Sequence, residues 1–375
     1  MRVRILDTSK RGDVRKFIQL PFDLYKNCKN WCPPFRSELK NLMNKTKFPL
    51  YQHSEADFIL AEDKGEVLGR IAIHHPKPYS KFKGKEVAFF NYFDVVQDAK
   101  VSKQLFDTAL EWCSKRKINL VKGPTSFTRS GGKGLMIEGF EYKAPMGVNY
   151  NFPYYGKFIE AAGFKKRVDY VSGILDTAKN DIDPRVHIIA EKLQKRGKFK
   201  VVNFDSKEEM RRYIPDIYRI NIEAFEDAPE FVPYTLEEFT AMAEDLLSVL
   251  VPGLPKIIKA GDEVIGFVIA YPDLGDGLRK AKGRMFPFGW IHLLNAKRTT
   301  TNLIFNGIGI IPKYQGSGAN AVLYSELNKI RTDYPRFKTA DNLQVADYNF
   351  RSFKDMSSVG TKWCITHRVY EKVLS

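Results

Sequence analysis

Asn306 to Leu327 reads NGIGIIPKYQGSGANAVLYSEL. The Ile-rich run at its start has the character of a strand and stops at Pro312, which has no N–H to give to a sheet ladder. Gln315-Gly316-Ser317-Gly318-Ala319-Asn320 is a turn of small residues, after which Ala319, Val322, Leu323, Leu327 and Ile330 recur at helical spacing. Such a turn leaves the first amides of the helix without backbone acceptors, and the helix macrodipole favours negative charge there. A phosphate fits. Gly316 and Gly318 matter because a side chain at either position would hold a phosphate away from the backbone. A glycine-rich turn before a helix also serves as a plain cap, so its surroundings decide its meaning.

Those surroundings are repetitive. Upstream, KIIKAGDEVIGFVIA (256–270) has two apolar runs around a Gly-Asp turn, the signature of a β-hairpin. FILAEDKGEVLGRIAI (58–73) is a second copy, with Glu66-Val67-Leu68-Gly69 matching Glu263-Val264-Ile265-Gly266 at an offset of 197 residues. Each hairpin precedes a further β-like run, Val87 to Val96 or Asn302 to Ile311, and then an amphipathic helix. A strand at Asn119 to Lys122 or Phe337 to Val345 follows, and a segment around Gly163 or Gly360 closes each half, again 197 residues apart. One register at separated landmarks points to duplication. The spacing predicts two α/β domains, 1–178 and 179–375, each a mixed central sheet flanked by helices, with the boundary near Asp176 to Asp183.

In this setting the turn resembles the pyrophosphate loop of the GNAT acyltransferase superfamily, Gln/Arg-x-x-Gly-x-Gly/Ala between a strand and a helix. Gln315 and Gly318 match the pattern, and Asn320 departs from its last position. The resemblance implies tandem GNAT-like domains and acetyl-CoA or another acyl-CoA as donor. It implies that the backbone of the preceding strand, Ile310 included, holds the pantetheine arm, and that Gln315, Gly316, Ser317, Gly318, Ala319 and Asn320 hold the pyrophosphate. Asn349 matches an asparagine that touches the cofactor in relatives, and is equally well read as a helix N-cap. The implied reaction is direct attack of an amine on the thioester, with the acceptor unspecified.

No catalytic residue follows from the pattern. The family's tyrosine acid, four residues before a closing glycine, falls on Met356, which cannot donate a proton. Asp347 and Tyr348 stand nearby, with a helix-start carboxylate and a buried tyrosine as the plainer readings. Glu223, Glu226 and Asp227 border the expected acceptor side and are more simply a solvated acidic helix end. His74 and His75 point to opposite faces of a strand, which argues against a metal site.

In the first half Gln97 to Ser102 enters its helix without a glycine, so its CoA site is expected to be lost. A different stretch, Arg129-Ser130-Gly131-Gly132-Lys133-Gly134, reads as a mobile loop or an anion-binding turn. Asn149 to Tyr155 (NYNFPYY) supplies materials for an acceptor cleft or for an ordinary core. Between Lys280 and Thr301 the repeat is interrupted by an inserted loop or lid, whose cluster Phe286-Pro287-Phe288-Gly289-Trp290 is expected to plug a local core.

Composition bounds the rest. The 375 residues carry a formal charge of +16, with 43% apolar and 28% charged residues. That is the balance of a globular protein whose field attracts polyanions. No run approaches the length of a membrane span, and the four cysteines are too sparse for a disulfide framework, so a cytoplasmic setting is expected. The competing reading is a non-catalytic or RNA- or tRNA-associated module. It lacks a nucleic-acid motif.

Overall fold

The computed structural model describes residues 1–127, 131–177, 179, 182–226, 231 and 234–374. Its strands are β1 (Arg2–Ile5), β2 (Glu55–Asp63), β3 (Glu66–His75), β4 (Val87–Val95), β5 (Leu120–Gly123), β6 (Leu135–Glu138), β7 (Lys165–Asp176), β8 (Lys200–Val202), β9 (Lys256–Ala260), β10 (Glu263–Pro272), β11 (Asn302–Ile310), β12 (Thr339–Ala346) and β13 (Lys362–Val373). They join in one continuous sheet, in the order β1-β2-β3-β4-β5-β13-β7-β12-β11-β10-β9-β8, with β6 beside β13.

The duplication is visible strand by strand. The hairpin β2–β3 corresponds to β9–β10, β4 to β11, β5 to β12, and β7 to β13. The helices Ala99–Ser114 and Ala319–Asp333 occupy equivalent positions after β4 and β11. Each bears an apolar stripe that it buries on its own half's sheet, for example Val101, Leu105, Ala109 and Cys113 in the first half and Ala319, Val322 and Leu323 in the second.

Each closing strand sits beside the other half. β13 pairs antiparallel with β5, β7 pairs antiparallel with β12, and β7 and β13 pair with each other along most of their length. The two halves therefore share their middle strands. In that seam Arg368 of β13 grips Asp169 of β7 through two hydrogen bonds of 2.8 and 2.9 Å. Asp347 receives the Asp169 backbone amide at 3.2 Å and pairs with Lys166 at 3.2 Å, so it helps to clamp the seam. Of the stretch where the domain boundary is expected, Ala178, Asn180 and Asp181 lie outside the described residues.

Two stretches differ from the sequence-based expectations. Lys280–Thr301 is mostly helical, with Gly289–Thr299 packed on the helix Gly275–Ala281, because Leu278, Leu293 and Ala296 close a small core with Cys32 and Ala144 of the first half. Its aromatics do not plug that core: Phe286 is 80% exposed, Phe288 69% and Trp290 45%. The described part of the glycine-rich stretch is anchored rather than mobile. Lys133 exchanges two backbone hydrogen bonds with the Gln344 side chain, at 3.1 and 2.6 Å, and a Cβ at Gly134 would lie 3.0 Å from the backbone of β13. Arg129 and Ser130 of that stretch lie outside the described residues.

Asn149 to Tyr155 turns out to be core and sheet-edge material. Asn151 mimics a strand neighbour by bonding both the N–H and the carbonyl of Met136, at 2.7 and 3.1 Å. Phe152 stacks on Tyr25, and the Tyr155 hydroxyl bonds the backbone amide of Val95.

Candidate acyl-CoA and acceptor site

The site begins with a bulge. Between the pairs Val268↔Ile308 and Ala270↔Phe305, the single residue Ile269 faces two residues, Asn306 and Gly307. Gly307 has φ +122°, a conformation that residues with a Cβ rarely adopt. The bulge bends β11 away from β12, whose parallel pairing with it stops at Phe305↔Asn342 although β11 runs on to Ile310. A V-shaped gap opens between the two strands.

Because the Ile311 amide donates to Ile265, the alternation of an antiparallel ladder turns the polar groups of Ile310 and Ile308 toward that gap. The Gln315 side chain bonds the Ile310 carbonyl at 3.1 Å, tying the turn to the strand. Gly316 and Gly318 have φ of +76° and +94°. Ser317 donates its hydroxyl to the Tyr314 carbonyl at 2.5 Å. The helix Ala319–Asp333 starts at Gly318 with no side-chain cap, and its first intrahelical bond at this end runs from Val322 to the Gly318 carbonyl. The amides of Ala319, Asn320 and Ala321 are thus offered at the turn. Lys198 reaches the Ser317 carbonyl at 3.3 Å, and Arg351 reaches the Gln315 side chain at 3.1 Å, so two cations flank the same turn.

The remaining candidates are placed as follows. Asn320 turns its side chain toward Asp355, at 3.4 Å, away from the helix N-terminus. Asn349 is the N-cap of the helix Phe350–Ser358 and accepts the Ser352 amide at 3.2 Å. Met356 is buried and, with Phe305, Asn342, Leu303, Tyr324 and Leu327, lines a small apolar cavity beside the gap on the side of the phosphate-turn helix. Gly318 also answers to packing, because a Cβ there would lie 2.5 Å from Leu193 Cδ1. Gly316 faces open space.

The first half differs at the corresponding place. β4 carries the matching bulge, where Ile71 faces Tyr92 and Phe93. The Thr125 amide bonds the Phe90 carbonyl at 3.0 Å before that bulge, and beyond it the Tyr155 hydroxyl accepts the Val95 amide at 3.0 Å while the Tyr154 hydroxyl donates to the Val95 carbonyl at 2.8 Å, so the strand groups equivalent to those of Ile310 are already bonded. At the head of the helix Ala99–Ser114, the Asp98 carboxylate accepts the amides of Lys100 and Val101 at 2.8 and 3.4 Å. A side-chain anion already sits where a phosphate would bind.

Sequence reasoning missed Asp341. It lies on β12 one residue before the gap opens and next to Ala340, whose side chain packs with Leu303, Ile330 and Phe337 under the phosphate-turn helix. By strand alternation Asp341 faces the opposite side, where an acceptor would approach. The Asn302 side-chain NH2 donates to it at 2.5 Å, and the Thr339 hydroxyl donates to the Asn302 side-chain oxygen at 2.8 Å. Burial raises the Asp341 carboxyl to about 7, Asp273 adds to the rise, and the Asn302 bond offsets part of it. Across this side, the Met146 amide of the first half bonds Asp273 at 3.0 Å, so both halves line the space. The one hint in the sequence was a carboxylate at the centre of an otherwise strand-like run. Glu223 is spent in a 3.0 Å pair with Arg219, and both are more than a third exposed. Glu226 caps the C-terminal end of the helix Ile214–Phe225, and Asp227 lies outside the described residues.

Two bulged sheet units, of which the second has splayed strands and an uncapped glycine turn at its helix, make up a tandem GNAT-like fold. The comparisons agree on that fold. No family model matches the chain. It is 24% identical over 370 residues to protein YghO of Escherichia coli (strain K12), covering 96% of this chain and 93% of that protein. It is 25% identical over 389 residues to the bacterial ceramide synthase of Caulobacter vibrioides (strain NA1000 / CB15N), covering 99% and 97%. Among solved structures, the tandem GNAT protein from the clavulanic acid biosynthesis pathway superposes with a TM-score of 0.58 at 10% identity, covering 99% of this chain and 98% of that one. A GCN5-related N-acetyltransferase from Sphaerobacter thermophilus superposes at 0.51 with 12% identity, covering 99% and 95%.

Proposed function

We propose that this protein is an acyl-CoA-dependent N-acyltransferase whose second half binds the donor and whose acceptor lies between the halves, on the Asp341 side of the sheet. The observation that carries this reading is the gap between β11 and β12 ending at an uncapped, cation-flanked glycine turn. The division into residues 1–178 and 179–375 belongs to the same proposal. In it, Gln315 to Asn320 hold the pyrophosphate, the Ile310 backbone holds the pantetheine arm, and Asn349 orients the neighbouring helix from its cap.

An attacking amine must lose a proton, and Asp341 is our assignment for the group that takes it. A carboxylate with a pKa near neutrality matches that task better than one with the ordinary value. Among the relatives, the name ceramide synthase denotes formation of an amide with a long-chain base, which favours a lipid amine as acceptor.

Calorimetric titration with acetyl-CoA and longer acyl-CoAs tests the donor site, using Gly316→Glu and Gly316→Gln side by side. The two side chains match in shape and in backbone preference, in a position open to solvent, and only Glu brings a competing charge. Binding by the parent and Gly316→Gln, with at least about a tenfold loss in Gly316→Glu, supports the reading. A folded parent that binds no CoA species sinks it and turns attention to a carrier-protein donor or RNA.

A further inference from the structure

The loop and helix from Met285 to Leu294 carry the most projecting apolar side chains of the inserted segment. Phe286, Phe288, Trp290, Ile291 and Leu294 are all exposed. Trp290, Ile291 and Leu294 share one face of the helix Gly289–Thr299, and the opposite face, through Leu293 and Ala296, is buried. The patch therefore has a rigid base. The helix Gly275–Ala281 supports it from behind, and the Gly283 carbonyl receives the Arg36 amide at 2.9 Å.

Its charge is one-sided. From Gly277 to Ser325 the sequence contains no Asp or Glu, while Lys280, Lys282, Arg284 and Arg298 lie exposed around the apolar residues. Arg36 adds another cation, with its side chain bonded to the Lys282 carbonyl at 3.1 Å. Projecting aromatic and aliphatic groups ringed by cations match the interface of an anionic bilayer, where rings enter the boundary between headgroups and chains and Lys or Arg meet phosphates. A groove-forming protein partner is the weaker match, because rings exposed to this degree project outward instead of lining a concavity.

We propose that residues 280–298 form a peripheral docking element for anionic lipid surfaces. No helix among the described residues is long and apolar enough to cross a membrane, so the contact is interfacial. The element stands on the Asp273 side of the sheet, where β10 ends and the inserted helices begin, which places a bound membrane beside the acceptor face. The docking itself does not depend on the acyl-transfer reading.

The test is flotation of the full chain with vesicles of phosphatidylcholine alone and of equal parts phosphatidylcholine and phosphatidylglycerol. The parent is expected to float with the anionic vesicles. Phe286→Ser/Phe288→Ser and Lys282→Glu/Arg284→Glu should each weaken this by at least about tenfold, the second effect fading at high salt. These side chains are exposed, so unchanged circular dichroism in both variants is expected and separates lost docking from lost folding. Emission of the parent minus that of Trp290→Phe should shift to the blue on binding. Failure of the parent to float, flotation of both double variants as complete as the parent's, or binding to an acidic carrier protein in place of vesicles would each overturn the proposal.

Discussion

Asp341 shows how much a residue's role depends on what surrounds it. Its carboxyl is raised to about 7, above its unfolded value, so the unfolded chain releases this proton first as pH rises. Stability contributed by the neutral acid is present below about pH 4 and is lost as pH climbs to about 7. Asp341→Asn removes that loss. It should raise the melting temperature at about pH 8 by an amount equivalent to roughly 2–4 kcal/mol and leave it unchanged near pH 4, as calorimetry at the two pH values would reveal. If Asp341 takes the amine proton, the same variant should lower kcat/KM by roughly 10²–10³, and the parent's rate should climb through about pH 7 to a plateau. A variant that gains stability and keeps full activity would leave Asp341 a structural acid only.

The two equivalent helices, Ala99–Ser114 and Ala319–Asp333, differ at their first turns, and in the proposed function that difference separates the donor-binding half from the other. Asp98 caps one with its own carboxylate, whereas Gly318 leaves the other without a side-chain cap. Asp98→Ala should cost about 1 kcal/mol of stability, measurable by urea denaturation. It should leave acyl-CoA affinity unchanged, because the Val95 amide and carbonyl of the first half remain bonded to the Tyr155 and Tyr154 hydroxyls. A second CoA site appearing in the variant would show that Asp98 alone had blocked it. Gly318 is less clean as a probe, since any side chain there meets Leu193 as well as the ligand position.

For the whole molecule, the exchange of closing strands makes the halves interdependent. Removing β13 strips a neighbour from β5 and β7 together and breaks the Arg368–Asp169 grip. A chain stopped at Val359, or a fragment of residues 1–178, should therefore be aggregation-prone, with open strand edges in the middle of a sheet. The intact protein should melt in one transition monitored by circular dichroism. Two separated transitions, or a soluble first-half fragment with native-like proteolytic resistance, would contradict the shared-core description.

The sequence by itself determined the hairpins, the helices, the duplication and the glycine turn, because periodicity, turn chemistry and a constant offset are properties of neighbours along the chain. The absence of a glycine turn in the first half was equally legible; that the Asp98 carboxylate caps the equivalent helix was not. Only the tertiary structure decided that β13 crosses to the first half, since apolar strands of one repeat carry no mark of which partner they will pair with. It also decided that Asp341 is a raised acid and that Phe286 and Phe288 project into solvent. Burial depends on segments distant in sequence: Asn302 and Asp273 set the environment of Asp341, and Leu278, Leu293 and Ala144 fill the core that the exposed aromatics leave to them.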